Sequence, residues 1–261
     1  MKSGYTKKQP EKALLRPIRK TGGRNSAGRI TVRHRGGGVK RYYRVIEFGQ
    51  EKLGQKAKVT AIEYDPNRTC DIALLEYADG IKKYILAPNG LKQDDEVIMD
   101  EKVPSQAGNR MRLKNIAVGT MVYNIELSPN RGGKLARSAG TSAQVMAHEG
   151  KHTNLKMPST ETRKVLSECF ASIGSLSNPE HRFERMGKAG TKRRKGFRPT
   201  VKGSAMNPVD HPHGGGEGRA GIGMKYPKTP TGKHALGVKT RNKKKYSSRL
   251  IIERRKKKKK R

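Results

Sequence analysis

Asn207 to Gly218 reads N-P-V-D-H-P-H-G-G-G-E-G, and its residue types suit three kinds of chemistry. Asp210 beside His211 could orient an imidazole for general acid–base work. His211 and His213 could give a metal two ligands, although a zinc site needs three or four. Gly214, Gly215 and Gly216 would let backbone press against a flat surface, and such a run costs ordering entropy unless something closely apposed holds it. No serine or cysteine nucleophile with a recognisable elbow accompanies the Asp-His pair, and its neighbours are loop formers. The glycine run decides between these readings. It favours a loop laid against a large anionic partner, with imidazoles as hydrogen-bonding groups. No catalytic residue, metal site or cofactor is expected here.

Three further stretches carry the chemistry of phosphate contact. In G-R-I-T-V-R-H-R-G-G-G-V-K-R-Y-Y-R, from Gly28 to Arg44, glycines and two tyrosines interrupt Arg29, Arg33, His34, Arg35, Lys40 and Arg41. Guanidinium groups pair with phosphates bidentately, and tyrosine rings stack on unpaired bases. G-K-L-A-R-S-A-G-T, from Gly133 to Thr141, places Lys134 and Arg137 among small residues. Its spacing is not that of a nucleotide-cradling G-x-x-x-x-G-K-S/T loop, so a tight turn with two phosphate contacts is expected. Gly187 to Gly203 crowds Lys188, Arg193, Arg194, Lys195, Arg198 and Lys202 between glycines and a proline that should break any helix. Such an extended, kinked segment suits a folded polyanion, but composition alone does not say which one.

The elements that must position these residues follow from charge and periodicity. The chain has 261 residues and a formal net charge of +37. Residues 1–41 carry 13 Lys/Arg against Glu11 alone, while residues 42–130 carry 12 against 13 acids. Residues 184–261 carry 26 against 4 and end in R-R-K-K-K-K-K-R. A segment that must fold by itself mixes its charges, whereas one that folds on a polyanion need not. The middle is therefore expected to be globular, and the two arms extended or disordered when alone. A hydrophobic fraction of 32% with no Trp supports a modest core. No apolar run approaches the ~18 residues that span a bilayer, and M-K-S-G-Y-T-K-K-Q-P lacks an apolar signal core. A cytoplasmic protein with no membrane partner is expected. Cys70 and Cys169, far apart, suggest reduced packing residues and no disulfide framework.

Within the middle, T-M-V-Y-N-I-E-L alternates, putting Met121, Tyr123, Ile125 and Leu127 on one face of an expected strand. Ile72 to Tyr77 and Ile81 to Leu86 flank A-D-G, a hairpin signal. Gln144 to His148 and His152 to Met157 flank E-G-K in the same way. Asn178, Pro179 and Gly187 predict one short helix over N-P-E-H-R-F-E-R-M-G. The spacing of turns points to an all-β protein, and the length of the middle suits two small barrels better than one.

L-A-R-S-A-G-T, G-K-A-G, R-P-T-V-K-G and A-M-N-P-V-D-H-P-H-G-G-G-E-G together resemble the bacterial-type ribosomal protein L-two family of the large subunit. R-I-T-V-R-H-R-G-G-G, E-Y-D-P-N-R and Y-I-L-A-P extend the resemblance, in order, from about Gly22 to the C-terminus. It implies an OB-like barrel over 42–105, an SH3-like barrel over 106–183, and basic extensions over 1–41 and 184–261 threaded into large-subunit rRNA. It further implies a place near the peptidyl transferase centre, contact with other ribosomal proteins, and a role in association with the small subunit at the intersubunit face. Asp210, His211, His213 and Gly214 to Gly216 match the loop that reaches toward that centre. Lys134, Arg137, Lys188, Arg193, Arg198 and Lys202 match rRNA-contacting positions, and Arg219 is grouped with them. Arg194 and Thr231 stand where the family usually has Trp, and the N-terminus is shorter than usual. Two rivals remain on residues alone: an enzyme using Asp210 and His211 on nucleic acid, and a DNA-compacting protein.

Overall fold

The computed structural model describes residues 5–7, 9–49, 51–218, 221–242 and 244–255. The chain forms two units, one from Met1–Ile18, Arg41–Arg185 and Tyr246–Arg261, the other from Arg19–Lys40 and Met186–Lys245. The first is the β body. Its opening ribbon pairs β1 (Leu15–Pro17) with β2 (Tyr42–Arg44). Before that ribbon, Thr6 N–H donates to the Ile62 carbonyl and Glu11 N–H to the Tyr84 hydroxyl, which itself donates to buried Glu63. Burial raises the Glu63 pKa from its ordinary value.

The first sheet is an antiparallel set of four: β3 (Lys56–Glu63), β4 (Ile72–Tyr77), β5 (Lys82–Leu86) and β6 (Glu96–Ile98), in the order β5-β4-β3-β6. In β3 the side chains of Ala57, Val59, Ala61 and Glu63 are buried while Lys56 and Lys58 face water, the period of two that a half-buried strand requires. β4 is buried almost throughout, which suits its run of apolar residues. The expected hairpin over 72–86 is present, in register from Ile72 opposite Leu86 to Glu76 opposite Lys82.

The second sheet has seven strands. They are β7 (Arg110–Arg112), β8 (Met121–Tyr123), β11 (Ala143–Glu149), β12 (His152–Lys156), β13 (Thr162–Leu166), β14 (Phe170–Ile173) and β15 (Ile251–Glu253). Between β8 and β11, β9 (Ile125–Glu126) and β10 (Gly133–Leu135) form a separate ribbon. The order is β15-β13-β12-β11-β8-β14-β7. Thus Ile251–Glu253, read from sequence as part of the C-terminal arm, forms an edge strand of the body. The fold class is all-β, as expected, although neither sheet closes on itself through ladder hydrogen bonds among the described residues.

Two readings need correction. The alternation over 121–127 does not form one strand, because Asn124 takes a left-handed conformation (φ 48°) that splits it into β8 and β9. Met121 is consequently exposed while Val122, Tyr123, Ile125 and Glu126 are buried. The helix expected after Asn178 is only a 3₁₀ turn, Pro179–Phe183. Asn178 is itself left-handed (φ 61°), and its side-chain amide donates to the Thr69 carbonyl instead of capping the turn.

Apolar packing is confined to the body. Three clusters fill it, one under each sheet and one that joins Ile46, Ile72, Tyr84 and Leu86 to Tyr123 and Leu176. In the second unit, among the described residues, no apolar side chain is buried and His211 is the one buried residue. No helix of the described residues is long and apolar enough to cross a membrane.

Cys70 and Cys169 are both buried and unbridged. Burial pushes their thiols up to about 11 and about 12. A thiol whose native pKa is raised keeps its proton when the unfolded chain has lost it, so stability falls as pH rises above the ordinary thiol range. Alkylation of the native protein by iodoacetamide at pH 8 should label neither cysteine, and both should react once denaturant unfolds the body. Rapid labelling of either in the native state would overturn the packing described.

Candidate nucleic-acid interface

The cationic side chains of the body converge because two turns lock together. The first follows β3. Asp65, fully buried, accepts from Asn67 N–H at 2.9 Å, which shapes the D-P-N-R turn, and it pairs with Arg68 Nε at 2.9 Å. Arg44 Nη1 lies 3.9 Å from the same carboxylate. A buried carboxylate requires such company, since an uncompensated charge there would cost several kcal/mol. Arg41 Nη1 donates to the Pro66 carbonyl at 2.7 Å. The Arg68 guanidinium lies over the rings of Phe48 (5.2 Å) and Tyr43 (5.5 Å).

The second turn is Gly133 to Thr141. Gly133 N–H donates to the Phe48 carbonyl at 2.7 Å, and a Cβ at Gly133 would lie 2.0 Å from Asn124 Oδ1, so only glycine fits. Arg137 stacks on the other neighbour of this contact, 4.5 Å from the Phe48 centroid, and donates to the Gly133 carbonyl. Ala139 N–H donates to Thr69 Oγ1, tying the second turn to the first. The turns enclose a cleft of about 680 Å³ whose cations are Arg68, Lys134, Arg137 and Arg163, with Glu161 as its acid. Stacking fixes the planes of Arg68 and Arg137. Arg68 Nε and Nη2 are buried, with Nε turned to Asp65, whereas the Arg137 side chain is exposed. Fixed guanidinium planes suit phosphate oxygens.

Beneath this cleft the loop from β9 to β10 is organised by Glu126. Its carboxylate accepts from the N–H groups of Asn130, Gly132 and Phe170 and sits 3.3 Å from Arg110 Nη2, both side chains being buried. Arg110 also donates to the Asn124 carbonyl at 2.7 Å. Burial lowers the Arg110 pKa from its ordinary value, and Glu126 opposes that shift.

The second unit holds most of the other expected contacts. Arg29, Arg33, His34, Arg35 and Lys40 lie in its first segment, all exposed. Lys188 precedes α1 (Ala189–Arg194), which carries Arg193 and Arg194; Lys195, Arg198 and Lys202 follow, also exposed. The helix-free segment expected between Gly187 and Gly203 is therefore corrected. Lys192, Arg193 and Arg194 fall in the last turn of α1, where the helix dipole favours positive charge. The Arg194 side chain points to solvent, and Thr231 sits in a turn where its hydroxyl meets that of Thr229. Arg219 lies outside the described residues.

The Asn207–Gly218 loop is closed by its own histidines. His211 Nδ1 accepts from His213 N–H at 3.0 Å, and His213 Nε2 accepts from Lys228 N–H at 2.8 Å. The two rings lie 4.8 Å apart. The His211 ring is seated on Gly203, where a Cβ would come within 2.5 Å of it. Gly214 packs so closely on Asn207 that a Cβ would meet that carbonyl oxygen at 2.2 Å, while Gly215 (φ 81°) and Gly216 (φ 108°) need left-handed backbone. His211 Nδ1 is thus turned to its own loop, and the Asp210 carboxylate is exposed. A hydrogen bond joining Asp210 to His211 is absent among the described residues, as is any group of three His, Cys, Asp or Glu able to hold a metal. Within the loop, Gly214 approaches the Asn207 carbonyl and Gly215 the Pro208 ring.

Family comparison fits this geometry. The family model "Ribosomal Proteins L2, RNA binding N-terminal domain" matches residues 11–99, and "Ribosomal Proteins L2, C-terminal domain" matches residues 106–232. The chain belongs to the ribosomal protein L2 family. It is a structural protein of the large ribosomal subunit with an RNA-binding N-terminal domain, located at the ribosome. Reading the sequence picked out Lys134 and Arg137 but missed their cleft partners Arg68 and Arg163. Arg68 ends the E-Y-D-P-N-R motif, and the buried Asp before it was the signal that this arginine is held in place.

Glu126→Ala should destabilise the body by about 3–5 kcal/mol, because it leaves Arg110 buried without its counter-charge. Glu126→Gln, which retains acceptor capacity, should cost less. Urea unfolding of the two variants measures this; equal midpoints for Glu126→Ala and the native chain would refute the role given to the pair.

Proposed function

We propose that the chain holds large-subunit rRNA through two sets of cations: the body cleft with Arg68, Lys134, Arg137 and Arg163, and the arms. In the arms, Arg29, Arg33, His34, Arg35, Lys40, Lys188, Arg193, Arg194, Lys195, Arg198, Lys202 and Arg219 serve as rRNA contacts, with Arg41 at the edge of the body. The single observation that carries this reading is the cleft. Arg68 and Arg137 are braced on the Phe48 ring, and Arg68 also on a buried carboxylate, so the planes of both are set before any ligand arrives.

The division into an OB-like barrel over 42–105 and an SH3-like barrel over 106–183, flanked by extensions over 1–41 and 184–261, belongs to the same proposal. The loop of Asp210, His211, His213, Gly214, Gly215 and Gly216 would meet rRNA near the peptidyl transferase centre. There it would supply shape, and peptide-bond chemistry would belong to RNA. Contacts with other ribosomal proteins and with the small subunit would support assembly and association in the cytoplasm, with no membrane involved. What favours a non-enzymatic role is the way both imidazoles are spent on backbone N–H groups of their own segment.

Two measurements test the proposal. Arg68→Ala and Arg137→Ala should each weaken binding to large-subunit rRNA and each reduce the slope of log affinity against log salt by about 1. Unchanged slopes in both would remove the cleft from the interface. His211→Ala should impair incorporation into active large subunits. Turnover of a nucleic-acid substrate by the purified chain, abolished by the same change, would favour an enzyme instead.

A further inference from the structure

The second unit contains a groove of about 920 Å³, lined by Lys20, Arg24, Arg33, His34, Arg35 and Arg198 together with small residues and Ile30. No acid lines it among the described residues. Its walls come from two stretches of chain that meet through backbone hydrogen bonds. Gly36 N–H donates to Gly196 O and Val39 N–H to Arg194 O, each at 3.1 Å, and Arg198 N–H donates to His34 O at 3.0 Å. His34 Nδ1 lies 3.0 Å from the Pro199 carbonyl, 165 residues along the chain. Phe197 is covered by the Arg35 guanidinium, 4.3 Å from its centroid.

This chemistry narrows the occupant. Bases are held by open aromatic faces, and Phe197 already has its partner in Arg35. Phosphates are held by converging guanidinium and ammonium groups, which here surround one concave space. A straight duplex spreads its phosphates along a rod, whereas a bent strand brings several together and raises the local negative potential. We propose that this groove receives the sugar–phosphate backbone of RNA at a sharp bend, independent of base, and that it exists only while the two arms are clasped. This rests on the rRNA-binding reading above and specifies how the arms carry it out.

Gly38 offers a test that leaves charge untouched. It lies at φ 81°, and a Cβ there would come within 3.0 Å of Gly196 Cα and N and 3.1 Å of the Arg194 oxygen. Gly38→Ala should therefore pry the clasp apart. Gly28, at φ 74° with nothing within 4 Å of an added Cβ, supplies the control for backbone strain alone. The full chain is titrated, over a range of salt, with duplex RNA carrying a central bulge, with the fully paired duplex, and with the bulge made abasic.

The native chain and Gly28→Ala should prefer bulged RNA, abasic or not. Gly38→Ala should lose that preference, and its salt slope should fall by about 2 or more as several phosphate contacts disappear together. Arg198→Gln, which leaves the clasp backbone intact, should lower the slope by about 1. If Gly38→Ala matches Gly28→Ala, or if the abasic bulge binds as weakly as the paired duplex, the groove has no such role. If Arg68→Ala still weakens rRNA binding in that case, the wider reading stands without it. A native chain that binds none of these RNAs, nor large-subunit rRNA, would overturn both.

Discussion

Positive charge without a core is the constraint from which the rest of this structure follows. The second unit carries 23 Lys and Arg against two acids, Asp210 and Glu217, and among its described residues it buries no apolar side chain. Apolar burial normally offsets the entropy of ordering a chain. Here that term is missing while self-repulsion is large. Backbone hydrogen bonds, glycine contacts and one buried imidazole define its path, and none of these opposes the charge. A polyanion does oppose it, and the family's place in the large ribosomal subunit supplies one.

The body meets the opposite problem, since it must fold on its own core and still present arginines. It does so by burying acids beside them. Asp65 anchors Arg68 and faces Arg44; Glu126 answers Arg110 and gathers three backbone N–H groups around it. Asp65 and Glu126 therefore each do local work on a turn that carries cleft residues. The near-balance of acids and bases over 42–130 reflects this arrangement as well as surface pairs such as Lys58 with Asp94. Exposed pairs of that kind contribute little to stability, so the buried ones bear most of the electrostatic specificity.

Much of this was legible in the sequence. Turn spacing gave both hairpins and the all-β class, whereas charge segregation did not show that Leu15–Pro17 and Ile251–Glu253 are strands of the body. Strand alternation failed at Asn124, because a left-handed residue resets the facing of everything after it, and Asn is among the residues that tolerate that conformation. The Pro179 turn failed as a helix because its intended cap is committed to Thr69 across the body. The meeting of 34–39 with 194–199 was beyond reach, since backbone pairing between polar segments leaves no periodic trace. The partnership of Arg68 with Arg137 escaped for a related reason: both are bound through Phe48, whose role in bridging two turns depends on tertiary contact alone.

The Asn207–Gly218 loop shows why residue types that suggest catalysis can instead build shape. An imidazole is planar, amphipathic and able to accept from a backbone N–H, so it can fill the space a core side chain would occupy while satisfying a donor. His211 does this at 7% exposure, seated on Gly203 and holding His213 N–H. His213 repeats the act one step outward, holding Lys228 N–H and so tying the loop to the segment that follows. The glycines around them are needed because such small packing elements work only if backbone comes close, as Gly214 does against Asn207. In a unit that buries no apolar side chain among its described residues, two imidazoles in tilted contact and the glycines they pack against let backbone come close. The result is a defined backbone surface among exposed cations, and defined shape is what electrostatic attraction to RNA by itself cannot provide.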